Sequence, residues 1–125
     1  MRCLLVDDSR SFLDAASILL EREGLDVCGT ASTTAEALRE TAELHPDVVL
    51  VDISLGSESG LDLARSLAGA TPHPRVILIS THDEAEYVDL IDASSAIGFL
   101  AKIDLSAAAI RQMIAAIDGD QADES

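Results

Sequence analysis

Aromatic side chains are nearly missing from this chain: there is no Trp, and only Phe12, Tyr87 and Phe99 carry an aromatic ring. With 48% hydrophobic residues the chain still has the material for one ordinary core, which must be built from Leu, Ile, Val and Ala. Basic residues are scarce as well. Seven Arg and a single Lys, Lys102, stand against 23 Asp and Glu, giving a net charge of −15. Direct binding of nucleic acid is therefore not expected, because phosphate contacts need a basic patch. Most of the acidic groups read as a solvated surface. No apolar run approaches the length of a membrane span, and the first ten residues lack a signal-peptide pattern, which predicts a cytoplasmic protein with no membrane partner. Cysteine is limited to Cys3 and Cys28. Both lie in apolar segments and read as reduced core thiols rather than as a disulfide or metal pair.

What is present is a rhythm. Five apolar runs, at 3–6, 26–31, 48–51, 75–79 and 96–101, alternate with segments of helical spacing at 9–23, 34–44, 61–68, 84–93 and 105–117. Ser9 or Ser11 suits the cap of the first helix, Ser32 to Thr34 with Glu36 that of the second, and Asp104 or Ser106 that of the last. Pro46, Pro72 and Pro74 punctuate the loops. Continuous apolar strands alternating with amphipathic helices predict an α/β fold: a doubly wound, five-stranded parallel sheet of order 2-1-3-4-5, a flavodoxin-like (βα)5 sandwich. The domain is expected over 1–118, with 119–125 as a polar, disordered tail.

The stretch "VLVDISLG" (49–56) ends an apolar strand on a carboxylate, Asp52. An isolated ion there would be costly. In an open parallel sheet, however, sites form where the strands end and the strand order reverses. Asp7 and Asp8 follow the first run, Asp52 the third, Ser80 and Thr81 the fourth, and Lys102 the fifth. Three carboxylates, hydroxyls and the only lysine should gather at one edge. Asp7 or Asp8 alone would read as a helix cap. Carboxylates in a cluster repel one another, and a hard divalent cation such as Mg²⁺ relieves that repulsion while accepting phosphate oxygens. A carboxylate beside such a cation, with an ammonium opposite, suits phosphoryl transfer onto the carboxylate. Backbone N–H groups near Ser54 and Thr81, and the Ser80 hydroxyl, can donate to phosphoryl oxygens.

The pieces "LLVDDS" (4–9), "PDVVLVDISLGSESGLDLAR" (46–65), "VILIST" (76–81) and "GFLAK" (98–102), in this order, resemble the receiver domain of two-component response regulators over about residues 2–117. The resemblance implies a phosphoaccepting signalling switch rather than an enzyme. Asp52 would take a phosphoryl group from a sensor histidine kinase or phosphotransfer protein. Asp7, Asp8, Asp52 and the Ser54 backbone carbonyl would hold Mg²⁺ (or Mn²⁺), and Lys102, Ser80 and Thr81 would bind the phosphoryl group. Catalysis would rest on Asp52 and Lys102. Ser80 and Phe99 would form the switch, changing the face of the fourth helix, fifth strand and fifth helix that a partner reads. A homodimer through that face, or through the first and fifth helices, fits the pattern.

The chain departs from the family in places. Ile103 stands where Pro often follows the lysine, Gly56 where Pro often follows the acceptor, and Phe99 replaces the commoner Tyr. "KIDLS" (102–106) resembles the subfamily with a C-terminal helix-turn-helix, which would imply transcriptional output through an attached domain. His82 reads as a loop residue, and His45 and His73, beside prolines, carry no assigned role. Two alternatives compete. An aspartyl-nucleophile phosphatase needs an acid/base carboxylate two residues after the nucleophile, where this chain has Ser54. A pseudo-receiver that signals without phosphate is opposed by the intact acidic set, Ser80 and Lys102.

Overall fold

A computed structural model describes residues 1–55, 58–69, 74–81 and 96–124. The first helix and the strands on either side of it begin as the apolar periodicity dictates. Strand β1 (Arg2–Val6) leads into helix α1 (Arg10–Arg22), whose N-cap is Ser9, its side chain accepting from the Phe12 N–H. Strand β2 (Asp26–Ala31) and helix α2 (Thr34–Leu44) follow, with Thr33 capping α2 by accepting from Glu36 N. His45 ends α2 in the left-handed region at φ 49°, its N–H returning to Thr41 O, before Pro46 turns the chain. Strand β3 (Val48–Asp52) includes the carboxylate itself. The stretch after it pairs Ser54–Leu55 with Glu58–Ser59 as a two-residue antiparallel ribbon where a loop was expected. Helix α3 (Gly60–Ala68) is capped by Ser59, strand β4 (Arg75–Ser80) follows, and strand β5 (Gly98–Ala101) runs into a 3₁₀ turn at Lys102–Asp104. The C-terminal helix α4 (Ala107–Glu124) starts at a Ser106 cap, whose Oγ accepts from Ala109 N. Its backbone continues to Glu124, past the end expected at 117, because a helix already nucleated upstream adds one hydrogen bond for each further residue. The helix expected at 84–93, and Gly56, Pro72, His73, His82 and Tyr87, lie outside the described residues.

The five strands form one parallel sheet of order β2-β1-β3-β4-β5. Strand alternation sorts the core into two layers. On one face Cys3, Leu5, Val48, Leu50, Ile77 and Ile79 pack against Leu13, Ala16 and Leu20 of α1 and Ile110 and Ile114 of α4. On the other, Leu4, Val6, Val49, Val51, Leu78 and Phe99 meet Ala37 of α2 and Leu63, Ala64 and Leu67 of α3. The β1–β2 pairing is interrupted once: Cys3 faces Val27 but Leu4 faces Gly29, leaving Cys28 as an extra residue in a bulge. Both thiols are free. Burial pushes that of Cys3 up to about 12, so it is inert at neutral pH, and the Cys28 thiol reaches the Cys3 carbonyl at 3.4 Å. No described helix is long and apolar enough to cross a membrane.

Candidate functional site

The site follows from strand register. The chain crosses from β1 to β2 on one side and from β3 to β4 on the other, so β1 and β3 flank the point where strand order reverses. Val6 pairs with Val51, which sets the next residues, Asp7 and Asp52, side by side at the end of the sheet. Asp52 pairs with Ile79 and Ser80 with Ala101, so Lys102 comes off β5 one step beyond Ser80. Asp7 and Asp52 are buried, with 0% and 6% of their surfaces exposed, and Ser80 is buried too, whereas Asp8 is exposed. Oxygens of Asp7, Asp8 and Asp52 all lie within 4.8 Å of one another.

Backbone donors fix one oxygen on each buried carboxylate. Asp7 Oδ1 accepts from Ser9 N at 2.8 Å, and Asp52 Oδ1 accepts from Ser54 N at 3.1 Å. The second oxygens face Lys102, whose Nζ is 2.6 Å from Asp7 Oδ2 and 3.3 Å from Asp52 Oδ2. Toward Asp7 the ammonium acts as a close point charge: Oδ2 has no hydrogen bond of good angle among the described residues. Nζ also lies over the ring of Phe12, 4.4 Å from its centroid. The ammonium is thus held between two carboxylates and an aromatic face.

The electrostatics are unbalanced. One ammonium faces two buried carboxylates, with a third beside them. Burial raises the Asp52 pKa above the ordinary carboxylate range, and the Asp7 charge adds to this; the Ser54 N–H and Lys102 oppose it without cancelling it. Burial alone would lower the Lys102 pKa, but its close ion pair with Asp7 and the charge of Asp52 outweigh this and raise it. Excess negative charge contributes to both shifts: it adds to the effect of burial at Asp52 and overcomes burial at Lys102.

The backbone at Asp52 is held closely from behind. Gly60 N donates to Ile53 O at 2.9 Å, and a Cβ on Gly60 would stand 1.9 Å from the Asp52 carbonyl oxygen. Only glycine lets α3 start this close to the end of β3. The sequence marks Gly60 as a loop residue; its contact with Asp52 crosses the ribbon and leaves no local signal. The Phe12 contact was likewise missed, because helical spacing reads Phe12 as core. Its clue was the rarity of aromatic residues, one of which sits in the helix directly after the acidic pair. Of the remaining expected residues, Phe99 is buried on the α3 face of β5, the same face toward which Ser80 alternates from Leu78. Thr81 is exposed at the end of β4 and Ser54 is exposed after β3. Ile103 is 92% exposed in the 3₁₀ turn, which closes through Leu105 N to Lys102 O.

A family model described as the response regulator receiver domain matches residues 3–115. The chain belongs to this family. The receiver domain is 39% identical over 92 residues to the transcriptional regulatory protein KdpE of Mycobacterium tuberculosis, covering 74% of this chain and 40% of that protein. It spans about half the length, or less, of the curated relatives it matches. Among solved structures it superposes with TM-score 0.79 on the signal receiver domain of a modulated diguanylate cyclase from Desulfovibrio desulfuricans, 30% identical, covering 99% of this chain and 98% of the other. A response regulator from Burkholderia pseudomallei, solved with a phosphorylated aspartic acid, calcium ion and citrate, matches with TM-score 0.77 and 26% identity over 99% of this chain and 72% of its own. Receiver domains of two-component response regulators are phosphoaccepting switches, which agrees with the fold and with the acidic cluster found here.

Proposed function

We propose that Asp52 is the phosphoacceptor of this receiver domain and that Asp7, Asp8 and Lys102 form its working site. The observation that carries the reading is the convergence of three carboxylates and the single lysine at the sheet's switch point, with negative charge in excess. A carboxylate oxygen of Asp52 attacks phosphorus and forms an acyl-phosphate P–O bond. The P–N bond of a phosphohistidine on a sensor kinase or phosphotransfer protein breaks, and the electron pair returns to the imidazole. Asp52 presents its carboxylate with Oδ1 already oriented by Ser54 N, so little reorganisation is needed. Lys102 follows the transferred charge, exchanging its carboxylate partners for a phosphoryl oxygen.

The donor set fits a hard divalent cation. All the candidate ligand atoms are oxygens, and among the described residues the buried Asp7 Oδ2 faces only the Lys102 ammonium, with no well-formed hydrogen bond. Asp7, Asp8, Asp52 and the Ser54 carbonyl would hold Mg²⁺ or Mn²⁺, which when bound neutralises charge on the phosphoryl oxygens. Ser80 and Thr81, ending β4 beside Asp52, supply further donors. The new charge draws the Ser80 hydroxyl, and Phe99, on the same face of the neighbouring strand, repacks with it. The surface altered runs along β5 and α4. Relatives about twice as long carry names of transcriptional regulators, so we assign the output to an attached or separate partner that reads this surface. The Burkholderia pseudomallei relative was solved with a phosphorylated aspartic acid and a calcium ion, which supports an aspartate acceptor and a divalent cation here.

The test is intact mass after incubation with Mg²⁺ and acetyl phosphate. The wild type is expected to gain one phosphoryl group and Asp52→Asn none. Retained phosphoryl on Asp52→Asn would move the acceptor elsewhere, and no gain by the wild type from acetyl phosphate or from a phosphohistidine donor would refute the reading.

A further inference from the structure

The Phe12 ring is in the right place to act on the lysine, and its position is fixed through the same carboxylate the lysine touches. Asp7 Oδ1 accepts from Ser9 N at 2.8 Å. Ser9 Oγ accepts from Phe12 N at 3.3 Å and so sets the first turn of α1. The ring rests half-buried against the α1–α4 layer of the core, together with Leu100. Lys102 Nζ lies 4.4 Å from the ring centroid and 2.6 Å from Asp7 Oδ2. Carboxylate, cap, ring and ammonium close into one circuit.

An aliphatic side chain at position 12 would fill much of the same space, but it would offer a half-desolvated ammonium nothing in return. The cation would then be positioned by the two carboxylates alone. An aromatic face carries negative potential and makes the inward position favourable. It is also insensitive to which oxygen the ammonium faces, so it can hold Nζ while its anionic partner changes.

We propose that Phe12 is a positioning residue: its ring holds the Lys102 ammonium over the acceptor carboxylate by a cation–π contact. The proposal rests on the reading of Asp52 as phosphoacceptor, but its structural half can be measured without any phosphoryl transfer. Lys102 is the only lysine in the chain, so its side-chain methylene signal in a ¹H–¹³C spectrum is unambiguous. Protons above a ring face are shifted upfield.

The experiment compares wild type, Phe12→Leu and Phe12→Tyr. It reads the Lys102 methylene shift without phosphodonor, then the rate of phosphoryl gain from acetyl phosphate with Mg²⁺. In Phe12→Leu the methylene signal should move downfield toward that of a free lysine, and the rate should fall about two- to thirty-fold, the range a single cation–π contact spans. Phe12→Tyr keeps the ring face and should restore both. An unmoved signal in Phe12→Leu would overturn the contact. A moved signal with an unchanged rate would overturn the positioning role. Equal slowing in both variants would mean that the exact packing, not the ring face, sets the rate, and would also overturn it. Failure of the acceptor reading shows separately, as no phosphoryl gain by the wild type, and would remove the positioning role while the methylene shift still decides the contact.

Discussion

The two ends of the parallel sheet carry similar residues and treat them in opposite ways. At the end where strands begin, Asp47 is exposed and its Oδ2 accepts from Arg2 N at 2.7 Å; its backbone bonds to Arg2 O and to Arg75 N. The Arg2 guanidinium donates to Leu44 O at the end of α2. Each charge there is near water or near a partner, and the arrangement ties β1, β3 and β4 together. At the end where strands finish, two carboxylates are buried and share one ammonium, and a third adjoins them. A protein selected for stability alone would not gather charge in this way, since buried ions are stabilising only when fully paired. The first end is structural. The second holds negative charge in excess.

The contrast can be broken most severely at Gly60. Gly60→Ala places a Cβ 1.9 Å from the Asp52 carbonyl oxygen, so the backbone at Asp52 must move. We expect a loss of about 2–3 kcal/mol in urea unfolding, the upper range for overpacking, together with weaker Mg²⁺ binding. A variant as stable as wild type would mean that the close approach is not needed. At the opposite end Asp47→Ala removes an exposed hydrogen bond to Arg2 N. It should cost about 1 kcal/mol and leave phosphoryl uptake unchanged. Loss of uptake in that variant would show that the two ends are coupled.

A smaller effect is expected from Glu40 of α2, a carboxylate with no task at either end. Its Oε2 is shielded from water beside Gly29 and has no hydrogen-bond partner among the described residues. Burial raises its pKa, with Glu36 and Glu43 adding to the rise. A carboxylate whose folded pKa is raised favours the fold when protonated, and that contribution is lost as pH rises through the folded pKa. Glu40→Gln should therefore raise Tm slightly at pH 7, and the gain should shrink toward pH 4, where wild-type Glu40 is also neutral. A pH-independent gain would point instead to a packing effect.

Much of this contrast was legible before any coordinates. Strand and helix starts followed from apolar periodicity, and the cap at Thr33 from local chemistry. Parallel strands with short connections leave little freedom in register, so residues following β1, β3, β4 and β5 had to meet, and Asp7, Asp52, Ser80 and Lys102 do share one edge. What was not legible depends on contacts between elements. The bulge at Cys28 arises from pairing between strands. The ammonium over Phe12 depends on how α1 sits against the loop after β5. The approach of Gly60 to Asp52 depends on how α3 folds back over the end of β3. None of these has a period or a local motif.

The charge imbalance at the acidic end is tested most directly by calorimetric titration of Mg²⁺ into the wild type, Asp7→Asn and Asp47→Asn. The account predicts one saturable site in the wild type, lost in Asp7→Asn and unchanged in Asp47→Asn. Binding that survives in Asp7→Asn, or a wild type with no saturable site, would contradict it.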